Sequence, residues 1–152
     1  MYQAAPHLWI GPQADARRPD MLFAEAIEAV VDLAPDETAL NTPREVVYPR
    51  IPLVDGTGNP PWRLRAAVEV TMRLLTRQVP TLVVCGAGIS RSVAIAAAAL
   101  SHVSRSAPPA CLERLARRHA VDVSPGLWTA VLAALADAEE KPEAFGSSDQ
   151  TS

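Results

Sequence analysis

The chain has 152 residues, enough for one domain built on a single core. Apolar residues make up 49% and charged residues 20%, the balance of a folded globular domain rather than a disordered one. A net charge of −3 argues against general attraction to nucleic acid or membranes, and the longest apolar run, Val93 to Leu100, is far short of a bilayer span.

His7–Ile10, closed by Gly11-Pro12, reads as a short strand. Arg18-Pro19-Asp20 opens a helix, with Leu22, Phe23, Ala26, Ile27 and Val30 spaced for one apolar face. Ala29–Leu33 is a buried strand ended by Pro35-Asp36. Glu45–Pro52 is a third strand candidate, placed at an edge or a strand end by its two prolines. Asp55-Gly56-Thr57-Gly58-Asn59-Pro60-Pro61 breaks regular structure and reads as a mobile loop. Leu64, Val68, Met72, Leu75 and Val79 recur at helical spacing from Trp62 to Gln78, and Pro80 stops that helix. Thr81-Leu82-Val83-Val84 is a compact apolar and β-branched run, hence a central strand. After the loop Cys85–Ser90 come three helices, Arg91–His102, Pro108–His119 and Pro125–Glu139, with Ser124 at the N-cap of the last. Strands interleaved with helices predict an α/β domain, a mostly parallel sheet flanked by helices.

Residues 1–140 are expected to form this single domain and 141–152 a flexible tail rich in Pro, Gly, Ser and acidic residues. No secretory signal is visible at the start, and the two cysteines, Cys85 and Cys111, form no paired framework. A cytoplasmic protein is therefore expected. His7, His102 and His119 lack metal-ligand spacing, and no metal or cofactor is expected. Arg114, Arg117 and Arg118 form a basic helix face that reads as solvated, while Trp62 reads as packed at a helix start and Trp128 as core.

The chemistry is concentrated in Cys85-Gly86-Ala87-Gly88-Ile89-Ser90-Arg91-Ser92, between a buried strand and a helix. Ligands of open α/β sheets gather at the carboxyl ends of strands, and a helix start presents unpaired N–H groups to anions. Glycines let the intervening amides curl inward as a nest around the cysteine. Amides and a helix start around a thiol favour the nucleophilic thiolate. Arg91, at the sixth position, can fold its planar fork over the loop and match two phosphoryl oxygens. The spacing alone carries nothing: Cys111 and Arg117 stand equally far apart in CLERLAR, which is plain helix, and Cys111 reads as a buried small hydrophobe.

VVCGAGISRSVAIAAAAL resembles the signature of the cysteine-dependent protein tyrosine phosphatases, specifically the small dual-specificity phosphatases, C-x-x-G-x-x-R-[ST]. LWIGPQADAR, IEAVVDLA, IPLVDGTGN and RHAVDVSPGLWTAVLAAL are similar to other segments of that group, and the likeness runs over most of residues 5–139. The resemblance implies a tyrosine-phosphatase-like fold with Cys85 as nucleophile, and Gly86, Ala87, Gly88, Ile89, Ser90 and Arg91 as the phosphate-binding loop. Ser92 would assist the thiolate and Asp55 act as general acid. Where the family usually has histidine before the cysteine, this chain has Val84.

Asp55 also recommends itself without the resemblance, because it precedes a Gly-rich loop able to close over a bound ester. Asp32 reads as a strand-end or capping group, Asp36 and Glu37 as solvated turn residues, and Asp122 precedes a helix cap. The expected activity is removal of phosphate from phosphotyrosine, with phosphoserine and phosphothreonine as further substrates, in proteins or as small phosphate esters. The alternatives are a phosphatase of nucleotides, RNA 5′ ends or inositol phosphates, or a weak phosphate-binding module. Gly86, Ala87 and Ile89 offer little cationic support to a polyphosphorylated headgroup. No nucleic-acid or membrane partner is expected, and the sequence assigns no oligomeric state.

Overall fold

A computed structural model describes residues 1–140 of the chain, so the expected tail lies outside the described residues. Four strands form one sheet: β1 (Tyr2–Ala5), β2 (Leu8–Pro12), β3 (Ala29–Asp32) and β4 (Thr81–Cys85). Their spatial order is β1-β2-β4-β3, with β1 antiparallel to β2 and the other pairings parallel. The mostly parallel sheet expected from the sequence is present.

Period-two alternation distributes the strands between two cores. Leu8, Ile10, Val31, Val83 and Cys85 belong to the larger one, and Trp9, Val30, Leu82 and Val84 to the smaller. Over the larger face lie α3 (Pro61–Thr76), α4 (Arg91–Ser104), α5 (Pro108–Ala116) and α6 (Pro125–Glu140). Two short helices, α1 (Gln13–Ala16) and α2 (Pro19–Ala24), supply Ala16 and Leu22 to the smaller core. Every residue from Ser92 to Ala99 is buried, so α4 has no solvent face in its first half. Its alanines are the small side chains that let the sheet, α3, α5 and α6 all approach one helix closely.

Several boundaries depart from expectation. The hairpin strand β1 and the short α1 were not foreseen, and β2 continues through Gly11 and Pro12 to pair with Val84 and Cys85. α2 stops at Ala24, short of the expected apolar face. Ala26 takes a left-handed φ of 50°, and Ile27 N–H returns to Leu22 O at 2.8 Å. α3 ends the same way at Gln78, φ 58°, with Val79 N–H on Leu74 O at 3.0 Å. Both are hydrogen-bonded helix-closing turns built without the glycine that normally announces them. Phe23 is 66% exposed and Trp62 61% exposed, so neither packs as its spacing suggested, while Trp128 is half-buried against the core. Glu45–Pro52 is not a strand. It touches the β3 edge through isolated parallel bridges, Ala29 to Val47 and Asp32 to Arg50, because Pro49 and Pro52 bring no N–H to a ladder.

The parallel register places Pro12, Asp32 and the Val84–Cys85 pair together at the carboxyl end of the sheet. The candidate chemistry is concentrated at that end.

Candidate active site

Cys85 is the last residue of the central strand and only 2% exposed. Its Sγ accepts the Gly88 N–H at 3.3 Å and lies 3.3 Å from Ser92 Oγ in the first turn of α4. One backbone donor and one hydroxyl thus converge on the sulfur from the loop and from the start of α4. Gly88 reaches it with φ at 75°. A Cβ there would stand 2.5 Å from both Gly11 C and Pro12 N, so the loop is pressed against the end of β2 where only glycine fits.

Arg91 opens α4, and its Nη1 donates to Leu53 O at 3.1 Å. A Cβ on Gly86 would come 3.2 Å from Arg91 Nη2, so the bare Gly86 backbone leaves room for the guanidinium to lie along the loop. Arg91 Nε is buried and donates to nothing among the described residues. Ala87 is the exposed residue of the loop, Gly86 and Ile89 are half-buried, and the Ile89 carbonyl accepts the Asp122 N–H at 3.0 Å.

Ser90 occupies the N-cap position of α4, yet its hydroxyl does not cap that helix. It donates to Asp55 Oδ1 at 2.6 Å and accepts the Ser124 N–H at 3.1 Å. Asp55 is exposed, and this contact joins it to the cysteine loop. The loop behind Asp55 is irregular, as expected, but it is braced. The 8%-exposed Asn59 accepts the Val54 N–H through Oδ1 at 2.8 Å and donates to Val54 O at 2.8 Å and Gly56 O at 3.3 Å. One side-chain amide therefore closes the turn that carries the carboxylate.

The structure gathers Cys85, Ser90, Arg91, Ser92 and Asp55 around one loop. The bracing role of Asn59, the bridge through Ser90 to Ser124 and the Leu53 carbonyl under Arg91 were not legible beforehand. Only an asparagine within a Gly/Pro-rich turn hinted at the first. Val84 is fully buried in the smaller core beside Trp9, Val30 and Leu82. The residue before Cys85 therefore faces an apolar cluster in which an imidazole would need a polar partner.

Asp32 behaves as a strand-end group and does more. It is fully buried, its Oδ1 accepts the Ala34 N–H at 3.0 Å, and its Oδ2 accepts Gln13 Nε2 at 3.0 Å and the Tyr48 hydroxyl at 2.5 Å. Arg50 Nε stands 3.7 Å away. Among the described residues no three His, Cys, Asp or Glu side chains cluster as metal ligands would, and no helix is long and apolar enough to cross a membrane.

The fold is that of solved dual-specificity phosphatases. Human DUSP28 superposes with a TM-score of 0.80 at 18% identity, over 93% of this chain and 100% of that one. The human tyrosine phosphatase-like serine/threonine/tyrosine-interacting protein matches at 0.77 and 18% identity, over 89% and 95% of the two chains. PTPMT1, solved in complex with PI(5)P, matches at 0.71 and 20% identity, over 91% and 96%. No protein-family model matches the sequence, and no curated protein does.

Proposed function

We propose that the protein is a phosphatase that hydrolyses phosphate monoesters through a cysteinyl-phosphate intermediate, with phosphotyrosine and phosphoserine or phosphothreonine in proteins as its substrates. One observation supports this reading above the others. Beside a thiol that accepts the Gly88 N–H and lies 3.3 Å from the Ser92 hydroxyl, the buried Arg91 Nε is a donor without an acceptor among the described residues. A buried guanidinium N–H left unpaired is costly, and a phosphoryl oxygen held in the loop is the acceptor that would satisfy it.

In the first step Cys85 Sγ attacks phosphorus and the bond to the ester oxygen breaks. Asp55, protonated, gives its proton to that oxygen as it leaves. The loop amides and the Arg91 fork take up the charge on the three equatorial oxygens, and the start of α4 adds its partial positive charge. In the second step water attacks phosphorus, Asp55 as carboxylate accepts a proton from it, and the S–P bond breaks to free inorganic phosphate. Ser92 Oγ, 3.3 Å from the sulfur, can donate to the departing thiolate.

The absence of a cation among Gly86, Ala87 and Ile89 favours a single phosphate over a polyphosphorylated headgroup. The test is a panel of phosphotyrosine and phosphoserine peptides, nucleotides, inositol phosphates and RNA 5′ ends, with p-nitrophenyl phosphate as the general substrate. Cys85→Ser is expected to abolish turnover while still binding phosphopeptide. Full p-nitrophenyl phosphate activity in that variant would remove the mechanism. Preferential turnover of a non-protein ester would replace only the substrate.

A further inference from the structure

A concavity lies at the end of the sheet opposite the cysteine loop, where β2 and β4 begin. It has a volume of about 630 Å³, within the usual range for small-molecule sites. The turn at His7, whose carbonyl accepts the Thr81 N–H at 2.9 Å, forms one wall, and the ends of α3 and α4 with α5 form the others. Its walls include Leu75, Leu100, Val103 and Leu115, and Val103 is 43% exposed, an apolar side chain left open to the cavity.

The rim has the opposite character. Arg114, Arg117 and Arg118 line it from the end of α5, in a chain whose net charge is −3. Glu113 answers Arg117 at 2.7 Å. Arg114 turns inward, its Nη2 3.0 Å from Cys111 Sγ and 3.5 Å from Ser104 Oγ, and Arg118 forms no ion pair among the described residues. An apolar cavity edged by guanidinium groups on one side selects a ligand with an apolar body and an anionic end.

We infer that this cavity binds an anionic amphiphile, a single aliphatic chain ending in a carboxylate, with the chain along Leu75, Leu100 and Leu115 and the carboxylate at Arg114 and Arg118. The apolar walls supply affinity by area removed from water, and the arginines discriminate the acid from its uncharged analogue. Cys111, buried in the protein and facing this cavity, serves as a built-in reporter of occupancy.

Titration calorimetry of the full chain with dodecanoate, below its micelle concentration, tests the site. One saturable site is expected, at least ten-fold tighter than for dodecanol, and at least ten-fold weaker in the Arg114→Glu/Arg118→Glu double variant. Alkylation by N-ethylmaleimide, followed by peptide mass spectrometry, should slow at Cys111 and not at Cys85 when dodecanoate is present. This second measurement uses the unaltered chain and is indifferent to any folding defect in the variant. No saturable heat, equal binding of acid and alcohol, or protection of Cys85 in place of Cys111 would overturn the inference. So would binding of an acidic amphipathic peptide where dodecanoate fails, which would make the cavity a protein-docking groove.

Discussion

Ser90 makes the best-defined contact to the proposed general acid. Its hydroxyl is spent on Asp55 at 2.6 Å and is itself held by the Ser124 N–H at 3.1 Å, so it sets where the carboxyl group stands. Removing the acid should matter most when the leaving group is a poor one. Asp55→Ala is expected to slow hydrolysis of alkyl phosphates by about 100-fold or more and p-nitrophenyl phosphate much less. Ser90→Ala should show the same leaving-group pattern at about ten-fold, equivalent to one hydrogen bond of about 1.4 kcal/mol. A plot of rate against leaving-group basicity checks both, and a uniform loss across leaving groups would point to a damaged loop instead. Arg91→Lys is expected to lose at least 100-fold in kcat/KM, because a point charge cannot both hold the Leu53 carbonyl and present a planar fork. Measurement of phosphate inhibition alongside turnover would separate lost binding from lost chemistry.

Among the described glycines, a Cβ would meet backbone most closely at Gly88, where the cysteine loop lies on the end of β2. Gly88→Ala would drive a Cβ to 2.5 Å from backbone atoms of Gly11 and Pro12, at a φ of 75° that disfavours any side chain. Because the obstacle is backbone, the loop itself must move, taking the Gly88 N–H away from the sulfur. The expected outcome is near-complete loss of turnover together with destabilisation of about 2 kcal/mol or more, read from urea denaturation. Native-like activity would show that the approach is looser. The strand Thr81–Val84 and the alanine-rich helix after it were legible because composition and periodicity act locally. The closing turns at Ala26 and Gln78 were not, since a left-handed residue other than glycine leaves no mark in the chain.

Across the whole molecule, one buried carboxylate adds side-chain ties to the backbone bridges that join the segment from Ala34 to Arg50 to the sheet. Asp32 receives Tyr48, whose hydroxyl also accepts the Leu40 N–H at 3.0 Å, and Arg50 reaches the Ala34 carbonyl at 3.3 Å. Burial first, and the Asp32 contact second, raise the Tyr48 pKa above its ordinary value near 10. The folded chain then holds this proton more tightly than the unfolded chain does. The resulting stability is complete below pH 10 or so and is lost as the pH rises through the folded value. Tyr48→Phe should cost about 1–3 kcal/mol at pH 7 by leaving Asp32 under-paired. It should also shrink the loss of stability between pH 7 and alkaline pH, without abolishing it, because burial raises Tyr2 as well. Urea midpoints at pH 7 and above pH 10 for both proteins check this, and an unchanged alkaline loss would exclude Tyr48 as its source.

By itself the amino-acid sequence determined the local facts: a buried strand, a glycine-bearing loop, an arginine at the start of a buried helix and an acid followed by a turn. Each depends on residues close together in the chain, where periodicity, backbone freedom and helix propensity operate. Only the tertiary structure decided which distant groups meet. Leu53 under Arg91, Ser124 behind Ser90, Tyr48 on Asp32 and the α5 arginines beside Leu75 and Val103 join segments that nothing in their order couples. The reason is that a long-range contact is chosen by how the sheet and helices pack, and packing answers to the whole set of buried surfaces at once.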